Sequence, residues 1–577
     1  MKNSISNAKL LLAQMVVVTS LYAPAAFAAA PGITTTTGTF LLTAQDSYIN
    51  QPDGQAVYSW GYGCATGFAP TFLPAAITTP LPTCGAMQVP GPTLIVTEGQ
   101  TVTITLANNL PVAAGNTSIL FPGFNVCAAT LNASTGACTG TPTGVTGLLT
   151  QEAAPGASVT YTFVASSPGT HAYYSGTQGD LQVEMGLYGA VIVLPKAPPV
   201  SCSNTNTKSN LYGKSDYGTA NHVPGFPESD FRLSTAAYDH PKSCYDREYL
   251  FQWATMDPRI HQQAQAQVAA SITSGACATA GSPLCGLNVQ TEPYHPAYFL
   301  INGRSMPDLM DPNYAGEYPH QPYNGNPHMH PGELTLIRTI GQGRWQHPFH
   351  EHANHVRILA RDGNLILSPN NPATNLSGIL MFNTDTTPGQ AFDGIFYFSG
   401  RGLNWDPYGH HPAASGTNPT ANNQNPFPTD PLASVPCIPD ANGYNTGNTA
   451  ALNYFEWCQD HDKPVQSNPF GDVPAGGPAT LPDPNAFTNG AWYGGTPYFG
   501  PDANLRANAP ACATTQNAGC TTLQPANVQA NPANERGWAF MWHSHNEREI
   551  TTNNVFPGGM LMMMLVDSRE FAIDESM

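Results

Sequence analysis

Charge is scarce in this 577-residue chain: Asp, Glu, Lys and Arg together make up only 10% of it. Cations are the scarcer sign, with 20 Lys and Arg against 38 Asp and Glu and a net charge of -18. Nucleic-acid and anionic-membrane binders need a basic footprint, so this composition excludes both. Long apolar runs are missing too. The one marked run, Leu10 to Leu21, is too short to span a bilayer comfortably, and no later segment approaches the ~18 consecutive apolar residues of a membrane span. No Cys-x-x-Cys spacing occurs, no phosphate loop or dinucleotide fingerprint falls between a strand and a helix, and no Gly-x-Ser-x-Gly elbow surrounds Ser544. Zinc knuckles, nucleotide binding and an α/β-hydrolase nucleophile are thereby set aside.

What is present points to an all-β fold. Hydrophobic residues make up 41% of the chain, enough for more than one core. Gly and Pro, at 54 each, disfavour long helices and favour short strands joined by turns. The first 28 residues carry Lys2 and Lys9, the short apolar run, then Ala26-Phe27-Ala28. This is the pattern of a secretory signal peptide, and it predicts a secreted chain in the periplasm or outside the cell. The twelve cysteines then read as disulfide bonds. Their order suggests neighbouring pairs, Cys64 with Cys84, Cys127 with Cys138, Cys202 with Cys244, Cys277 with Cys285, Cys437 with Cys458 and Cys512 with Cys520. The count alone leaves other connectivities open.

Strand signatures recur at Thr39 to Thr43, Thr93 to Asn108, Ser158 to Ala165 and Tyr188 to Leu194. In Thr101 to Leu106 apolar and hydroxyl residues alternate strictly, as a half-buried strand requires. Residues 31–197 are therefore expected to form one β-sandwich, and the polar, irregular residues 198–245 a linker. A second sandwich is expected from 246–408 plus 534–570, starting at Glu248 to Trp253 and closing with Gly537 to Trp542 and Met560 to Val566. Residues 409–533, rich in Pro, Asn and Gly, read as an irregular insertion within it.

Two histidine clusters stand out among the seventeen: His347-Pro-Phe-His350-Glu-His352-Ala-Asn-His355 and Trp542-His543-Ser544-His545. Both lie beside expected strands. A strand repeats its facing every two residues, so His350 and His352 share one face, as do His543 and His545. Two such pairs on adjacent strands make a four-imidazole patch, a donor set that suits Cu(II) or zinc better than magnesium or calcium. Glu351, Glu547 and Glu549 would add negative charge nearby. His328-Met-His330 reads as a loop, and Met560 to Met564 as core packing on a closing strand.

These clusters resemble the His-Pro-x-His-x-His and His-Cys-His motifs of multicopper oxidases. Gly91-Pro-Thr, Asn108-Asn-Leu-Pro, Gly186-Leu-Tyr-Gly and Gly558-Gly-Met560 match further motifs of that family. The resemblance implies cupredoxin-like Greek-key β-sandwich domains, here two, and copper as cofactor. It also implies departures. Ser544 stands where the family has the cysteine of its blue-copper centre, Glu549 where it has the second histidine of that centre, and Met560 is the nearest axial methionine, leaving His347 as the surviving ligand. A serine hydroxyl lacks the softness and low pKa of a thiolate, so blue copper cannot form there. In the first domain Leu120-Phe-Pro-Gly123 and Tyr173-Tyr-Ser-Gly176 replace two histidine pairs. Four-electron oxygen reduction is therefore not expected.

The expectation is a degenerate, two-domain relative that binds one copper ion, or zinc, through His350, His352, His543 and His545, with His347 beside it. Any oxidoreductase activity would be residual. The competing expectation is an inactive structural or interaction protein on the same scaffold, with the insertion as its partner surface. Two-domain relatives of the family close into trimers, so a homo-oligomer stays open, although the first domain brings no ligands to share.

Overall fold

The structure, a computed structural model, describes residues 30–132, 134–202, 231–278, 282, 285–329, 333–398, 438, 537–567 and 573. The expected signal segment, the middle of the linker and, Ile438 apart, the expected insertion lie outside the described residues.

In Thr101–Asn108, Val102, Ile104 and Leu106 are buried while the threonines between them keep some exposure, the division that strict alternation predicts. This strand lies between Ser158–Val164 and Thr39–Asn50, and Ala56–Cys64 completes the sheet. A second sheet is ordered Gly169–Tyr174, Tyr188–Leu194, Leu94–Thr97, Gly32–Thr34 and Thr71–Leu73. The single long strand expected over Thr93 to Asn108 is two strands. The chain turns at Gly99, with φ of 80°, and delivers each part to a different sheet. Phe40, Trp60, Ile104 and Phe163 of one sheet share a core with Leu94, Tyr173 and Val191 of the other.

The second half repeats this plan. One sheet is ordered Tyr298–Ile301, Arg247–Met256, Leu334–Gly341, Ala391–Tyr397, Val356–Arg361 and Asn364–Leu365, with Leu380–Met381 pairing beside it. The other is ordered His328–Met329, Leu561–Asp567, Gly537–Ser544, Pro348–Glu351 and Asn383–Asp385. Between them Phe251, Trp253, Phe349, Phe396 and Trp542 interlock, with Phe349 and Trp253 rings 4.7 Å apart and Phe396 and Trp542 rings 4.9 Å apart. Burying one phenylalanine there stabilises the fold by about 2–3 kcal/mol. Met560, Met562 and Met564 lie in the same core, so the methionine run is packing.

One element runs against the composition, the 17-residue helix Pro258–Ser274. Asp257 caps it by accepting the Arg259 N–H, Pro258 opens its first turn, and Gly275 ends it with φ of 66°. Its Ile260 and Ala264 enter the core of the first half, so the helix ties the two halves together. At 231–245 the segment expected as linker is largely buried, with Ala237, Tyr238 and Tyr245 packed against Leu336 and Ile395. Disulfides join Cys64 to Cys84, Cys127 to Cys138, Cys202 to Cys244 and Cys277 to Cys285, as neighbour pairing predicts. The other two expected pairs lie outside the described residues. Among the described residues no helix is long and apolar enough to cross a membrane.

Candidate metal centre

Pro348–Glu351 pairs antiparallel with Gly537–Ser544, setting Phe349 opposite Ser544, His350 opposite His543 and Glu351 opposite Trp542. The period of two then sorts the chemistry. Phe349, Glu351, Trp542 and Ser544 turn to one face, where Phe349 and Trp542 enter the core, and the imidazoles turn to the other. The strand ends at Glu351, yet His352 stays in line. Its N–H donates to the Met541 carbonyl at 3.3 Å, and its carbonyl accepts the Trp542 indole N–H at 3.0 Å. Immediately after it Ala353, fully buried, adopts a left-handed φ of 84°. That conformation costs a non-glycine residue about 1–2 kcal/mol and turns the chain away from the site.

His350, His352 and His543 each bring a ring nitrogen within 4.8 Å of the others. The Nε2 atoms of His352 and His543 are 3.3 Å apart. His350 donates through Nδ1 to the Phe382 carbonyl at 2.7 Å, and His543 through Nδ1 to the Ser544 carbonyl at 2.6 Å. Each bond fixes the tautomer with the proton on Nδ1 and leaves the Nε2 lone pair to serve as a ligand, the arrangement typical of metal-ligating histidines. Burial, followed by the nearby imidazole of His543, pushes His350 down to about 4. Burial also lowers His543. Neutral imidazoles, spaced as nitrogens around a common ion are spaced, fit copper or zinc.

The expected quartet is thus a triad with a neighbour. The His545 ring lies 4.9 Å from that of His350 and 5.6 Å from that of His543, exposed at the rim and outside the nitrogen group. His347 lies apart from them. It is fully buried against the Trp253 ring, and its Nδ1 donates to Glu549 Oε2 at 2.8 Å. The same carboxylate accepts from Ser544 Oγ at 2.5 Å and from Asn546 Nδ2 at 3.0 Å. Glu549 therefore anchors a hydrogen-bonded cluster where the resemblance places blue copper. With oxygen donors and no thiolate, these residues do not fit that centre. Of the three carboxylates expected to add charge, Glu351 is fully buried, accepts from Thr384 Oγ1 at 3.0 Å and is pushed well above the usual carboxylate range by burial. Burial lowers His543, and the hydrogen bond to the Ser544 carbonyl followed by the charge of Glu547 works against it.

In the first half Leu120 and Tyr174 form an isolated antiparallel bridge, so backbone pairing persists where both imidazoles are missing. His328 and Met329 pair with Leu565 and Val566, and His330 lies outside the described residues. Phe382 was not foreseen. Its carbonyl orients His350 and its ring sits 5.9 Å from that imidazole, but no local pattern in the sequence links residue 382 to 350.

Comparison with known proteins agrees with the motifs. Residues 83–198 match the multicopper oxidase family. The multicopper oxidase MCE of Talaromyces pinophilus is 36% identical over 111 residues, 19% of this chain and 16% of that protein. Among solved structures, the multicopper oxidase mgLAC matches with a TM-score of 0.40 at 14% identity, covering 92% of this chain and 85% of that one. A blue copper oxidase from Nitrosomonas europaea gives 0.35 at 18% identity, covering 62% and 74%. The chain resembles multicopper oxidases, and the sequence match lies in the half that lacks the imidazoles.

Proposed function

We propose that this chain is an exported copper-binding protein that holds one ion through His350, His352 and His543, with His545 at the open side. The observation that carries this reading is the convergence of three imidazole nitrogens within 4.8 Å on one antiparallel pair. When bound, copper would supply one-electron redox chemistry or a cargo for delivery. The chain's own residues do the rest: Phe382 and the Ser544 carbonyl aim two Nε2 atoms, the Phe349 and Trp542 core fixes the strands, and Glu547 adds negative charge. Residue 544 offers no thiolate, and its hydroxyl donates to Glu549. Four disulfides suit an oxidising compartment, and the amino-terminal signal pattern takes the chain to the periplasm or beyond the cell.

The erosion of the first half favours the second reading, an inactive scaffold that serves interaction alone. Metal stoichiometry separates the two. After dialysis against Cu(II), the full chain should retain about one ion, and combined His350→Ala and His543→Ala substitutions should release it. A wild-type chain that retains none would support the scaffold.

A further inference from the structure

A cavity of about 290 Å³ opens beside the metal centre, on the outer side of the sheet that carries Val356–Arg361 and Ala391–Tyr397. Leu359, Leu376 and Ile395 line it, and two cations, Lys242 and Arg357, share that lining. Among the described residues no acid lines it, although the chain carries nearly two acids for every base, 38 against 20. Among the described residues neither cation pairs with a carboxylate. Arg357 is held by one bond, from a terminal nitrogen to the Gly378 carbonyl at 2.8 Å, which fixes the guanidinium and leaves its other donors available. His355 forms the wall nearest the triad. Its ring stands 5.0 Å from that of Phe382, which in turn lies 5.9 Å from the His350 ring.

We propose that this cavity binds a small amphiphilic carboxylate, a molecule of one ring or a short chain bearing a single carboxyl group. The volume sits at the low end for ligand pockets and admits about one ring. Unpaired cations call for an anion, and the guanidinium fork suits a carboxylate. The apolar lining calls for a hydrocarbon body, which inorganic phosphate lacks. The site is independent of the copper reading and goes beyond it. If both hold, the ligand lies one aromatic ring away from a ligating imidazole.

Calorimetric titration of the full chain with benzoate, benzamide and inorganic phosphate tests this. Benzoate should bind saturably, with benzamide and phosphate each weaker by roughly tenfold or more, the worth of a charge-assisted contact or of the buried ring. Arg357→Gln and Lys242→Gln should each weaken benzoate while leaving the unfolding temperature near that of wild type. Leu376→Trp, which fills the cavity, should abolish binding. The His350→Ala, His543→Ala protein should bind benzoate as wild type does, which keeps a failure of this site distinct from a failure of the metal site. Equal binding of benzoate and benzamide, phosphate binding as tightly as benzoate, or full benzoate affinity in Leu376→Trp would overturn the proposal.

Discussion

Leu120 meets Tyr174 across an antiparallel bridge in the first half, with N–H···O distances of 2.8 and 3.3 Å, much as His350 meets His543 in the second. Backbone pairing that poses two facing side chains exists in both places. In one it poses a leucine and a tyrosine, in the other two imidazoles held neutral by burial. Hydrogen bonding between main chains is indifferent to what the side chains carry, so the fold survives where the ligands do not. On the proposed function, metal competence is a local property of His350, His352 and His543 rather than of the sandwich.

A buried ion network holds the two halves together. Arg338 bonds Glu248 at 2.9 Å and lies 3.6 Å from Asp393, while Thr170 of the first half donates to both Asp393 oxygens. Arg338→Met strands two buried acids and should cost about 3–5 kcal/mol in denaturant unfolding. A loss under 1 kcal/mol would show that the junction does not depend on that charge.

Glu549→Ala should come next, at about 2–4 kcal/mol, because it leaves the His347 and Ser544 donors buried without an acceptor. Ser544→Cys alone should give no intense thiolate-to-copper absorption, since Glu549 still stands in place of an imidazole. A blue protein would contradict the assignment of that cluster.

Gly176→Ala probes the first half. A Cβ there would sit 2.8 Å from Leu120 Cγ, and crowding at that distance should cost about 1–2 kcal/mol by thermal unfolding. Leu120, at a position where the resemblance implies a histidine, is thus packed in place, and a neutral outcome would mean that its surroundings are loose.

A separate effect is a slope with pH rather than a single loss. Glu184, in the first half, accepts the Asp257 N–H at 2.6 Å and the Tyr294 hydroxyl at 2.8 Å from the second, and burial pushes it from the usual 4.5 up to about 8. Below 4.5 the folded and unfolded states both hold the proton. Between 4.5 and 8 only the folded state does, so stability falls as pH rises through that window, by up to about 1.4 kcal/mol per unit, and levels off above it. Glu184→Gln should flatten the slope. Parallel pH profiles for wild type and variant would disprove it.

Much of this was legible in the sequence, for reasons tied to period. Alternation from Thr101 to Leu106 marks a half-buried strand, and His-x-His spacing marks a shared face. Ala56–Cys64 escaped notice because Gly61 and Gly63 look like turn residues, whereas each is small because backbone from Gly85 to Gln88 crosses it within 2.4 Å of where a Cβ would sit. The helix at Pro258–Ser274 was announced by Asp257, Pro258 and Gly275, signals that a Gly- and Pro-rich composition overrode. In the site, the triad follows from spacing. The bond between His347 and Glu549 spans 202 residues, and the place of His545 outside the nitrogen group is a matter of side-chain distances, so neither could be read from local pattern.

The most direct test is electron paramagnetic resonance of the full chain loaded with one equivalent of Cu(II). The structure predicts a single copper signal with couplings to about three imidazole nitrogens, lost in His543→Ala and retained in His347→Ala. A signal that survives His543→Ala, or one abolished by His347→Ala with the fold intact, would place the ion elsewhere and contradict the account.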